Sequence, residues 1–219
     1  MRIEAFLLFR RTLLEVMSPS FPLLSRLRQE TAAVHRSLED SLNVPSVIIH
    51  REAYAEMLGK FYGFHRGIEQ ALEAVDSWPQ GKYDPRERRK SPWLAEDLHA
   101  LGWSAQRLDS LPECQPEDLP SLKDTASALG CAYVMEGSTL GGRHISALIA
   151  KGSAVPEGAF RFFQGYGQET GTKWREFLEI LAVFGNLASV EEGDQAVRSA
   201  WETFQFFSLW MQRDLSRQP

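Results

Sequence analysis

A chain of 219 residues with 43% hydrophobic content is long enough for one good core and needs no second domain. A formal net charge of −5 and a pI near 5.6 argue against a nucleic-acid binder, which would carry a basic face. Two cysteines, Cys114 and Cys131, make no disulfide framework and no CxxC pair, which points to a reducing, cytoplasmic setting.

The first seventeen residues, MRIEAFLLFRRTLLEVM, hold an apolar run over 5–9 that Arg10 and Arg11 stop. That run is too short for a signal-peptide core, and no small-x-small cleavage site follows it. A membrane span is excluded there and at the polar end RDLSRQP. Residues 1–20 are therefore expected to be a dispensable extension, with Met17 as an alternative start, and residues 21–219 the folded domain.

Helical spacing of apolar residues recurs throughout, and two-residue alternation is nearly absent. The spacing predicts a first helix over 23–42, with Leu24, Leu27, Thr31, Val34, His35, Leu38 and Leu42 on one face. A second is predicted over 51–75, striped by Tyr54, Leu58, Phe61, Phe64, Ile68 and Leu72. The stretch 76–91 holds Pro79, Gly81 and Pro85 and reads as a loop. Its basic run DPRERRK (84–90) is expected to be a solvated loop, with a docking patch as the alternative. Pro92 suits the first turn of a helix running to about 108. A Pro-rich connection over 111–120 leads to a long helix over 122–150, closed by Gly152 and Pro156. The glycine-punctuated aromatic stretch 160–172 reads as a loop, and helices over 173–184 and 191–213 finish the chain. The expectation is a single all-α domain.

Two stretches stand out chemically. On the first helix, at about 100° per residue, Arg28, Thr31, His35 and Glu39 fall close to one line. An imidazole there could ligate a metal through one nitrogen while Glu39 takes a hydrogen bond from the other, which fixes tautomer and ring orientation. Arg28, about 10 Å along the axis, would meet an anionic edge of a large ligand. The plainer alternative is a core-edge histidine in an i,i+4 pair worth a few tenths of a kcal/mol. His65 and Glu69 repeat the HxxxE spacing on the second helix, so spacing does not choose between them.

The second stretch is the long helix, where Gly137, Gly141 and Gly142 fall within six residues. Each helix-interior glycine costs about 1 kcal/mol relative to alanine. Either small residues pack closely on a neighbouring helix, or a flat ligand lies against bare backbone that is free to bend. Elsewhere Glu96–His99 is a lone ExxH, so a ferritin-type di-iron site is short of ligands. No Walker loop, GxSxG elbow or dinucleotide fingerprint occurs. Cys131 reads as a small core residue; a thiaminase-like hydrolase would need it as nucleophile.

Together, LRQETAAVHRSLED (27–40) and YVMEGSTLGGRHI (133–145) resemble the proximal and distal helices of the haem oxygenases. The likeness is strongest to the bacterial biliverdin-producing group that accompanies bacteriophytochromes, and it extends over about residues 23–213. It implies a multi-helix haem oxygenase-like bundle in which haem is both substrate and cofactor. His35 is then the iron ligand, Glu39 its hydrogen-bonding partner, and Arg28 a propionate partner, with Thr31 and Tyr133 inside the two motifs. Lys173 and Arg175 fall where further propionate contacts arise. Gly137, Gly141 and Gly142 take the distal positions that lie against the haem. Many members carry an aspartate after the first distal glycine to anchor a proton-delivering water network; here it is Ser138. A hydroxyl holds a water but lacks a carboxylate's charge and acceptor capacity. The implied reaction consumes O2 and electrons from an external reductase or ferredoxin, yields biliverdin, CO and Fe2+, and makes a bacteriophytochrome the acceptor of the pigment. A haem-binding carrier or sensor without turnover is the alternative on the same fold.

Overall fold

The computed structural model describes residues 22–78 and 83–214, and the extension over residues 1–20 lies outside them. Among the described residues there are nine α-helices, three 3-10 turns and no strand, which is the expected all-α class. The helices are α1 (Pro22–Leu42), α2 (Val44–Val47), α3 (Arg51–Glu73), α4 (Ser91–Ala100), α5 (Ala105–Asp109), α6 (Thr125–Ala150), α7 (Arg161–Gln164), α8 (Thr170–Leu187) and α9 (Val190–Gln212).

Local chemistry sets the boundaries. Asp124 caps α6 by accepting from the Ser127 N–H at 2.8 Å, and Ser189 with Glu192 forms a reciprocal capping box at the start of α9. The helix expected from Pro92 to about 108 is instead two, α4 and α5, because the chain turns through Gly102 at φ +95°, a backbone state that suits glycine. The aromatic stretch 160–172, expected as a loop, holds the single helical turn α7, a 3-10 turn and the start of α8.

Helix α9 is the central strut. It packs along α6 and α1 and also meets α3, while α8 braces α1 and α6 from the side. Its crossing with α6 is close because Gly130 has no side chain: a Cβ there would sit 2.0 Å from the Ala196 carbonyl oxygen. Trp210 fixes α9 to α3 by donating its indole N–H to the Lys60 carbonyl at 2.7 Å, and Lys60 Nζ returns a bond to the Met211 carbonyl at 2.8 Å. The core beside α1 comprises Leu23, Leu27, Val34 and Leu38 against Phe177, Leu181, Ala196 and Phe204. The backbones of α1 and α6 do not pack closely on each other; each leans on α8 and α9, and the two helices meet through side chains. That arrangement places them as two walls joined by a common support.

Candidate functional site

On α1, the buried apolar positions turn the Arg28–Thr31–His35–Glu39 line to the edge of the core. Thr31 is buried and donates its hydroxyl back to the Leu27 carbonyl at 2.6 Å. The His35 imidazole lies stacked on Phe204 of α9, with centroids 4.9 Å apart and planes 27° from parallel. Its Nε2 stands 3.3 Å from Glu39 Oε1, and the two side chains remain 51% and 46% exposed. The ring is thus held by an apolar shelf on one side and a carboxylate on one nitrogen, yet it stays accessible.

The other HxxxE pair is different. His65 and Glu69 are buried, and Glu69 accepts from the Lys90 N–H at 2.7 Å and from the Ser91 N–H and hydroxyl at 3.1 and 2.5 Å. Burial holds the His65 imidazole below its usual range. Burial also works to raise the Glu69 carboxyl, but hydrogen bonds from His65, Ser91 and the Lys90 N–H outweigh it and the pKa falls. Glu69 serves as the N-terminal cap of α4, so this pair is committed to structure.

On α6, Tyr133, Gly137 and Gly141 lie on one face, spaced by 40° per four residues. Tyr133 identifies what that face looks at: it interacts with Arg28 and Thr31 of α1, which work against the rise in its pKa caused by burial. Its ring tilts 6.0 Å from Trp174 of α8. The three glycines do not share a purpose. A Cβ on Gly141 would meet nothing within 4 Å, and one on Gly137 only the edge of Trp174 at 3.8 Å. A Cβ on Gly142 would come 2.7 Å from the Phe163 carbonyl oxygen. Gly142 therefore lets α7 pack on the back of α6, the small-residue alternative, while Gly137 and Gly141 leave bare backbone on the Tyr133 face. Helix α6 runs through all three without interruption.

Ser138 is exposed and donates its hydroxyl to the Met135 carbonyl at 2.8 Å, which leaves its oxygen lone pairs as acceptors. Lys173 is half-buried, with Nζ 3.5 Å from Glu176. Arg175 is exposed and bonds back along its own helix, to the Gly171 carbonyl and the Thr172 hydroxyl, each at 3.3 Å. The fold thus brings Arg28, Thr31 and Tyr133 together, seats His35 on Phe204, and sets Gly137 beside Trp174. Gly142 and Arg175 are turned to other partners.

Sequence reasoning missed a buried polar cluster behind α6. The run DPRERRK is not a solvated loop: Arg88 and Lys90 are 7% and 2% exposed, and both engage Glu136. The legible signal was Glu136 itself, the only charged residue between 125 and 142 in an apolar helix, which requires a buried cation. Asp97 was missed as well. It accepts from the Arg161 and Phe162 N–H groups at 2.5 and 2.9 Å, and burial pushes its pKa up to about 6 against those bonds. Cys131 is fully buried, its thiol pushed up to about 12 by burial, which leaves no thiolate for nucleophilic work. Among the described residues, no three His, Cys, Asp or Glu side chains gather where they could hold a metal ion, and no helix is long and apolar enough to cross a membrane.

The described residues thus form an all-α bundle with an accessible, carboxylate-held histidine on one helix and a glycine-bared face on another. The family model described as Heme oxygenase matches residues 21–213, and the chain belongs to that family. It is 29% identical over 142 residues to a heme oxygenase of Xanthomonas campestris pv. campestris, covering 61% of this chain and 74% of that protein. Two solved structures share the fold. The NO- and CO-bound heme oxygenase from Neisseria meningitidis aligns with a TM-score of 0.68 at 22% identity, covering 87% of this chain and 90% of that one. Heme oxygenase from Leptospira interrogans aligns at 0.66 and 20% identity, covering 86% and 98%.

Proposed function

We propose that this chain binds haem between α1 and α6 and cleaves it, with O2 and electrons from an external reductase or ferredoxin, to biliverdin, CO and Fe2+. The observation that carries the reading is the accessible His35 imidazole on α1, and the bare backbone at Gly141 of α6 supports it. One is an accessible imidazole fixed by Glu39 and Phe204; the other is a helix position whose missing side chain leaves open space. An axial ligand on one side and bare backbone on another helix suit a flat macrocycle. The family membership supports the same reading.

When bound, haem supplies the iron that activates O2 and the ring that is oxidised. The chain's own residues position it. His35 would hold the iron through an imidazole nitrogen, and the Glu39 contact would fix the ring's tautomer and orientation. Arg28, whose charge acts on Tyr133, would take a carboxylate at the rim, and Lys173 a second. Arg175 serves more weakly because its guanidinium is occupied along its own helix. Gly137 and Gly141 let the backbone approach closely enough to restrict which ring edge is attacked and to keep bulk water out. Ser138 orders a water at this wall through its lone pairs; its own proton lies on the Met135 carbonyl. That commitment favours the second reading, a haem carrier or sensor that does not turn over.

Adding haem should give a sharp Soret band with one equivalent taken up. Ascorbate, or ferredoxin with its reductase, should then bleach that band as far-red biliverdin absorbance grows; a stable haem complex would establish the carrier. His35→Ala should change the axial ligation while His65→Ala leaves it intact, and the reverse pattern would overturn the assignment. Gly141→Leu should retain part of the haem binding and abolish biliverdin formation. We further assign the protein to the cytoplasm, the folded domain to residues 21–219, and a bacteriophytochrome as acceptor of the product.

A further inference from the structure

Glu136 stands one residue before Gly137 and about 100° around the helix from it, on a buried side of α6. Its carboxylate is 1% exposed. Oε1 accepts from Lys90 Nζ at 2.8 Å, Oε2 accepts from Arg88 Nη1 at 3.1 Å, and the Tyr166 hydroxyl lies 3.1 and 3.2 Å from the two oxygens. Lys90 Nζ also donates to the Arg88 backbone carbonyl at 3.0 Å, which fixes the ammonium to its own segment.

The cluster extends beyond Glu136. Arg88 Nη1 also donates to the Lys173 carbonyl at 3.2 Å, and Nη2 to Glu176 at 3.0 Å. One guanidinium therefore holds both the residue preceding Gly137 and the first turns of α8, which carry Lys173 and Trp174. The Lys90 N–H donates to Glu69, which ties the same cluster to α3. A void with room for about one water adjoins it, lined in part by Glu69, Arg88, Lys90 and Glu136.

Net stability is a poor explanation for such a cluster, because desolvation of buried charges offsets most of their attraction. Geometry is a better one. Three donors from two separate segments converge on one carboxylate, and charge-assisted bonds are short and directional. A glycine has no side chain with which to hold its own place, so the position of Gly137 depends on its neighbours. Trp174 lies just 3.8 Å from where its Cβ would be.

We propose that Glu136, gripped by Lys90, Arg88 and Tyr166, is a positioning residue that sets where the Gly137–Gly141 backbone stands relative to Trp174 and Lys173. The purpose of that positioning rests on the haem oxygenase reading; its existence does not. The first measurement is hydrogen exchange on the ligand-free full-length protein. Glu136→Gln keeps the shape and removes the charge. Exchange at residues 137–142 and 172–177 is expected to rise about tenfold, with α1 and α3 unchanged; a uniform rise, or none, overturns the proposal.

Because Glu136→Gln leaves Lys90 charged and buried, the double variant Glu136→Gln/Lys90→Met removes both charges and is expected to give the same local pattern. If the single variant fails to fold, the double variant alone decides. A folded double variant with wild-type exchange at 137–142 overturns the proposal. The second measurement is the C–O stretching band of the carbon monoxide complex. It should broaden or split in the variants while haem affinity stays within about threefold, a change that a purely structural role would not produce; an unshifted band counts against the proposal. A wild-type protein that takes up no haem sinks the haem oxygenase reading, and hydrogen exchange still judges the positioning.

Discussion

Gly141 and Gly142 are adjacent in sequence, yet the same substitution should move them in opposite directions. Alanine at either site gains about 1 kcal/mol of helix propensity. At Gly141 nothing stands within 4 Å of the new methyl group, so the gain is kept. At Gly142 the methyl would lie 2.7 Å from the Phe163 carbonyl oxygen and 3.3 Å from its carbonyl carbon and Cα. Those are backbone atoms, and their segment is held by the two N–H bonds from Arg161 and Phe162 to Asp97. Retreat of α7 is therefore resisted, and overpacking of this kind costs about 1–3 kcal/mol. The net expectation for Gly142→Ala is a loss of up to about 2 kcal/mol after the propensity gain, since backbone atoms at 2.7 Å put the cost at the upper end. For a chain of this length, 1 kcal/mol moves Tm by about 2–4 °C. Thermal unfolding of the ligand-free proteins by far-UV circular dichroism should show Gly141→Ala about 2–4 °C above the wild type and Gly142→Ala several degrees below it. Haem titration should reverse the order of damage, with Gly141→Ala the more impaired. If both variants shift Tm in the same direction, the division of the glycines into a bared face and a packing face is wrong.

Further outcomes follow from buried titratable groups and from the chain's start. The Asp97 carboxyl rises from 3.8 to about 6 on folding, so its favourable contribution is complete below about pH 4 and is lost as pH rises through 6. At about 1.4 kcal/mol per unit, denaturant titrations should show the wild type losing up to about 3 kcal/mol relative to Asp97→Asn across that window; a flat difference would refute the assignment. The thiols of Cys114 and Cys131, both buried and pushed up to about 12, should resist a thiol-reactive dye at pH 8 until denaturant is added. Rapid labelling of Cys131 in the folded protein would revive the thiaminase-like nucleophile. A chain begun at Met17 should fold and bind haem as the full-length chain does; failure to fold would show that residues 1–16 contribute to the domain.

The helices were legible because each buries one stripe, and apolar spacing reports that directly: residues 23–42 were expected and Pro22–Leu42 is observed. What spacing could not report was pairing between distant segments. Nothing local in DPRERRK distinguishes a solvated basic run from one whose second arginine and lysine turn inward, because their partner lies 46 or more residues downstream. The glycines show the same limit. Their propensity loss was visible in the sequence, but whether a missing side chain admits a neighbour or leaves an open face depends on α7, a single turn that apolar spacing did not mark as helix.

The two HxxxE pairs carry this furthest, since in sequence they are equivalent and in the fold they are not. Both place a carboxylate one turn after an imidazole. Glu69, however, receives two backbone N–H groups and a hydroxyl at the start of α4, and its remaining capacity goes to His65. A carboxylate so saturated cannot follow its histidine if the ring moves to meet a ligand, and the His65 ring is itself closed in by Phe162 at 5.2 Å. Glu39 has no such obligations to a helix N-terminus and half of its surface is open. His35 can therefore adjust by small rotations over the flat Phe204 ring while keeping its carboxylate. A ligating histidine needs an oriented ring, a compliant partner and access for a large flat molecule, and of the two pairs it is the one on α1 that meets all three conditions.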